Sequence, residues 1–130
     1  MIQSLANEYM KLAQEAFQQN NLQLAKKCFR DIVELDERER KLHFDIAPYM
    51  GLSLIYATLE EWDNCEQISK KALEIEPNNT ILLNHMGVAI CSQSKNRILN
   101  GLYYFKKGFD LGDETNCGGN YMYWYKQIKS

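Results

Sequence analysis

The residues of this chain whose types could carry nucleophilic or metal chemistry are two histidines, His43 and His85, and four cysteines, Cys28, Cys65, Cys91 and Cys117. A zinc or redox site legible in sequence needs thiols and imidazoles at short spacings such as C-x-x-C, because several ligands must converge on one atom. These cysteines lie far apart and form no such pair, so no metal is expected; they read as buried or incidental thiols of a reducing compartment. His85 and Cys91 are six residues apart on one helical stretch. That spacing puts them on different faces and separates a base from its nucleophile. The sequence contains no phosphate-cradling glycine loop, no H-E-x-x-H and no G-x-S-x-G, and Gly118-Gly119 reads as a helix-linking turn. Neither catalysis nor a cofactor is expected.

Composition narrows the remaining classes. With 130 residues, 45% hydrophobic and 25% charged, the chain is expected to form one domain over residues 1–130. A net charge of -2 offers no broad basic surface, so nucleic acid is not an expected partner. No apolar run approaches the roughly 18 residues that span a bilayer. Met1-Ile2-Gln3-Ser4 lacks the basic and apolar regions of a secretory signal, which gives a cytoplasmic expectation with no membrane partner.

What positions residues in this chain is an internal repeat. Three segments share one order of large and small apolar residues: Tyr9, Leu12, Ala13, Ala16 then Ala25, Phe29, Ile32; Tyr49, Leu52, Ser53, Tyr56 then Cys65, Ser69, Ala72; Leu83, Met86, Gly87, Ile90 then Gly101, Phe105, Gly108. The first set of each copy has the i, i+3, i+4, i+7 spacing of an amphipathic helix and the second set has i, i+4, i+7, so each copy is two helices. The small residues Ala13, Ser53 and Gly87, with Ala25, Cys65 and Gly101, leave room for two backbones to approach while Tyr9, Tyr49, Phe29 and Phe105 fill the gaps. The pattern resembles the tetratricopeptide repeat, which runs W-x2-L-G-x2-Y, then A-x3-F, then proline, over about 34 residues. The second copy matches best, through Tyr49, Leu52, Ser53, Tyr56 and a closing Pro77. No copy carries the first tryptophan, Glu37 and Asp113 stand where proline is usual, and Ser69 replaces the large aromatic. The copies span about 6–39, 46–79 and 80–115. The implied fold is all-α: a right-handed α-solenoid of three helix pairs plus a C-terminal capping helix over about 119–129.

Local signals agree with this layout. Asp45 is placed to cap the second copy, Phe44 to staple onto Tyr49, and Pro48 to sit harmlessly in the first turn. Asn20-Asn21, Glu60 to Asp63 and Pro77-Asn78-Asn79 read as turns, as does Asn116 to Asn120. The charged run Glu37 to His43 reads as a solvated face, on a prolonged helix or a loop. Tyr121, Trp124, Tyr125 and Ile128 share a face that would cover the last exposed core surface, or present an aromatic docking surface.

The resemblance implies a concave groove, lined by the first helix of each pair, that binds another polypeptide as an extended or helical segment. A stripe roughly 140° from the core stripe selects its residues: Asn7, Met10, Gln14 and Phe17; Met50, Leu54 and Ala57; Ile81, Asn84 and Val88. That stripe is apolar enough to suggest an apolar or amphipathic peptide as ligand of an adaptor or chaperone-like module. A self-associating structural protein, in which the same face forms a homodimer, is the second expectation. Members that hold Hsp70 and Hsp90 C-terminal tails clamp the carboxylate with lysines, asparagines and an arginine on the first helices. The matching positions here are Met10, Gln14, Gly51, Ile81 and His85, so those tails are not expected ligands.

Overall fold

The computed structural model describes residues 2–39 and 46–129. Among the described residues are seven α-helices and no strand: α1 (Ile2–Gln18), α2 (Leu22–Glu39), α3 (Ala47–Thr58), α4 (Trp62–Ile75), α5 (Thr80–Gln93), α6 (Ile98–Asp110) and α7 (Asn116–Lys129). A 3-10 turn over Lys95–Arg97 lies between α5 and α6. Each helix packs on the next, and α3 also packs on α5 and α5 on α7. The result is an α-solenoid of three helix pairs closed by α7, in which the first helices form one row.

Small side chains set how closely the pairs approach. Ala13, Ala25, Ser53 and Cys65 are fully buried. At Gly101 a Cβ would collide with the Cys91 sulfur and come within 3.0 Å of the Gly87 carbonyl oxygen, so α5 and α6 meet backbone to backbone. Leu12 departs from expectation. Its spacing places it with the core residues, yet it is 40% exposed, while its counterparts Leu52 and Met86 are each 3% exposed. In the second and third copies this position is covered by the second helix of the preceding pair, and among the described residues no pair stands before α1.

The turns fall where the polar clusters stand. Asn20 and Glu60 adopt positive φ at the first two of the three intra-pair turns. Asn79 caps α5, its Oδ1 accepting from the Leu82 N–H at 3.2 Å. Asn79→Ala should lower stability by about 1 kcal/mol, read from the urea midpoint; an unchanged midpoint would remove the cap from the account. α3 begins after Ile46 with no side-chain cap bond and with Pro48 in its first turn; Phe44 and Asp45 lie outside the described residues. α2 extends through Glu39, so the charged run starts as helix, and its remainder to His43 is also outside them.

The last helix corrects the sequence reading. Asn116 to Asn120 is not a turn: α7 starts at Asn116, with Gly118 and Gly119 inside it. Asp113 makes this possible, its carboxylate accepting from the N–H groups of Asn116 at 2.9 Å and Cys117 at 3.3 Å. Gly118 lies so near Phe109 that a Cβ would stand 2.8 Å from its ring. Gly118 serves close packing, which outweighs its low helix propensity, whereas a Cβ on Gly119 would meet nothing within 4 Å.

Candidate functional site: the face of the first helices

The row α1, α3, α5 carries the residues expected to bind a ligand, and the structure divides them. Gln14, Phe17 and Leu54 come together around a hollow of about 420 Å³, whose other walls are Gln18, Phe29 and Gly51. Phe17 is 37% and Leu54 41% exposed, against 4% for Phe29. Phe29 forms the floor because Gly51 lies over its ring, where a Cβ would approach to 2.7 Å. Ile81 is 50% exposed and Asn7 is exposed, its Oδ1 accepting from Gln3 Nε2 at 3.0 Å. Ala57 is half-buried.

Met10, Met50 and Asn84 do not belong to an open surface. They are equivalent positions, and in each copy that position turns toward the adjoining helices. Met10 is 8% exposed within the core cluster. Met50 is half-buried and receives Asn79 Nδ2 on its sulfur at 3.6 Å. Asn84 is half-buried and its Oδ1 accepts from Asn120 Nδ2 of α7 at 2.8 Å. Val88 packs with Tyr121 and Trp124 of α7 against a second cluster of Cys91, Ile98, Leu102 and Phe105. The apolar strip is therefore interrupted: Met10 lies within the core cluster, Met50 and Ala57 pack against it, and α7 covers the third-copy end at Asn84 and Val88.

One polar constellation was not expected. His85 Nδ1 lies 2.7 Å from Ser53 Oγ, which lies 2.8 Å from Ser69 Oγ, and the Cys65 thiol donates to the Ser53 carbonyl at 3.6 Å. The cluster ties α3, α4 and α5 together. Burial pushes the His85 imidazole below its ordinary pKa, so it is neutral near pH 7. Hydrogen-bonded serine and histidine could form an activated nucleophile, but Ser53 is fully buried, which keeps a substrate from its hydroxyl. The link is structural. In sequence Ser53 and Ser69 stand out only by their size, and a contact spanning 32 residues of chain leaves no periodic signal.

The described residues include no group of three or more His, Cys, Asp or Glu that could hold a metal ion. All four cysteines are buried and free. Burial pushes the Cys91 and Cys117 thiols up to about 12, which keeps them protonated. No described helix is long and apolar enough to cross a membrane.

Stacked helix pairs presenting one row of first helices define a helical-repeat scaffold of the kind that serves protein interaction. The Tetratricopeptide repeat model matches residues 9–39 and 46–79, half of the chain. The chain belongs to that family. Solved structures repeat the fold: the first TPR of Spaghetti (RPAP3), bound to the HSP90 peptide SRMEEVD, is 12% identical over 98% of both chains with a TM-score of 0.79. The Arabidopsis OM64 TPR domain is 14% identical over 95% of this chain and 93% of that one, with a TM-score of 0.73. The TPR2B domain in the pHsp70 complex of yeast Sti1 is 18% identical over the same shares, with a TM-score of 0.67. No curated protein matches the chain.

Proposed function

We propose that this protein is a non-catalytic, cytoplasmic adaptor or chaperone-like module that holds an apolar or amphipathic peptide segment against the face of its first helices. The observation carrying this reading is the hollow of Phe17, Leu54 and Phe29, where large apolar side chains stand open between Gln14 and Gln18. Asn7 and Ile81 extend the same row. Two of the similar structures hold an HSP90 peptide or form a pHsp70 complex. A terminal carboxylate calls for fixed cations, and here the positions that would supply them are Met10, Gln14, Gly51, Ile81 and a neutral His85. Self-association through this face has less support, because Met10 and Met50, two of its large apolar members, are turned inward.

Leu54→Glu tests the proposal at an exposed position; half-buried Met50 is less suitable, since a charge there would strain the fold. A random peptide library selected on the wild-type protein should enrich apolar or amphipathic sequences. Leu54→Glu should weaken their binding at least about tenfold, or about 1.4 kcal/mol, with an unchanged melting temperature. The peptide SRMEEVD serves as the acidic-tail comparison. Preferential binding of SRMEEVD, or equal binding of the enriched peptides by Leu54→Glu, would overturn the reading.

A further inference from the structure

The two ends of the stack leave open what the internal junctions cover, and their chemistry is complementary. At the first end, Leu5 is 62% and Leu12 40% exposed on α1. Glu8 and Glu15, both exposed, fall on the same stripe by their spacing from Leu5 and Leu12. At the other end, a cleft of about 670 Å³ lies between α6 and α7. Its apolar walls include Leu99 and Tyr103 of α6, at 71% and 63% exposure, Leu111 just past the end of α6, at 46%, and Tyr125 and Ile128 of α7, at 39% and 44%. Its charged members are Lys106, Lys107, Lys129 and Asp110. Lys106 pairs with Asp110 at 3.0 Å and Lys129 stands 4.9 Å over the Tyr125 ring, so the rim keeps a positive excess.

We propose that α1 of one copy of this chain docks into the α6–α7 cleft of the next, joining the molecules head to tail. The stripe from Leu5 to Glu15 is about 15 Å long and the wall from Leu99 to Leu111 about 18 Å, so the lengths match. Acids on the entering helix meet lysines on the rim. Like ends repel, since cleft against cleft opposes lysines and α1 against α1 opposes glutamates, and this disfavours a symmetric dimer. Inside the molecule, junctions between successive pairs use the same device, with Lys71 on Glu37 at 3.0 Å and Arg97 on Glu66 at 2.6 Å. A head-to-tail contact that does not close on itself propagates.

Light scattering on the full chain over a hundredfold concentration range should show an average mass that climbs past the dimer and falls with added salt. Leu5→Gln/Leu12→Gln should damage only the entering helix, and Tyr103→Asp only the cleft. All three positions are exposed, and melting curves verify that the variants remain folded. Each variant alone should be monomeric, whereas an equimolar mixture should form a heterodimer and stop there, because one intact helix meets one intact cleft. Leu54→Glu should associate like the wild type, which separates this contact from peptide binding. A wild type that stays monomeric, a variant that associates unaided, or a mixture that remains monomeric would overturn the proposal.

Discussion

Replacing Phe105 with alanine should cost about 4 kcal/mol of folding stability, a large share of the roughly 5 to 15 kcal/mol available to such a chain. The ring is fully buried, the largest side chain to be so among the described residues, and it anchors the cluster of Cys91, Ile98 and Leu102 on which Val88, Tyr121 and Trp124 pack. Collapse into the vacated space is limited because Gly101 already holds α6 against the α5 backbone. The Gly87 slot gives the prediction a second arm. A Cβ on Gly87 would lie 2.5 Å from the Phe105 ring, so Gly87→Ala alone should cost about 2 kcal/mol through overpacking. Once Phe105 is alanine the obstacle is gone, and the same change should become neutral or stabilising by up to about 1 kcal/mol, the gain of alanine over glycine within a helix. Urea denaturation of the four proteins measures this reversal as a coupling energy. A loss below about 2 kcal/mol for Phe105→Ala, or a Gly87→Ala cost that persists without the ring, would contradict this packing.

The legible parts of the molecule are those written within a single helix or turn. Ala13, Ser53 and Gly87 mark the close contacts because a small residue at a fixed place between large ones has a local period. Asn20-Asn21 and Pro77-Asn78-Asn79 mark turns by their own backbone preferences. The misread residues depend on what lies beside the helix. Leu12, Leu52 and Met86 have one pattern and two fates, since among the described residues only the latter two have a pair in front of them. Met10 and Met50 follow the outer stripe of an isolated helix, but the adjoining helices take half of it. Of the candidate site, Gln14, Phe17 and Leu54 were readable from the stripe. The Phe29 floor was not, because it comes from a second helix and reaches the site through the absence of a side chain at Gly51. The start of α7 was obscured by two adjacent glycines, of which Gly118 makes room for the Phe109 ring of α6.

Ser53→Ala should be the other costly substitution, at about 2 to 3 kcal/mol, although it removes one oxygen. Ser53 Oγ is the shared partner of Ser69 Oγ and His85 Nδ1, and its loss leaves two groups in the junction of α3, α4 and α5 without this bond. Ser69→Ala should cost less, because Ser53 and His85 still satisfy each other. The cluster also sets a pH response. Burial lowers the His85 pKa in the fold, whereas in the unfolded chain it titrates near about 6.5. Below that value the unfolded state binds more protons, so stability is full above pH 6.5 and declines as the pH falls toward the lower folded pKa. His85→Gln can still bond to Ser53 and cannot titrate, so its urea midpoint should fall less steeply over that interval than the wild-type midpoint. His43 is common to both proteins and cancels in the comparison. Parallel declines in the two proteins would mean that His85 takes up its proton in the folded state as readily as in the unfolded one, and the neutral link between the second and third pairs would then have to be abandoned.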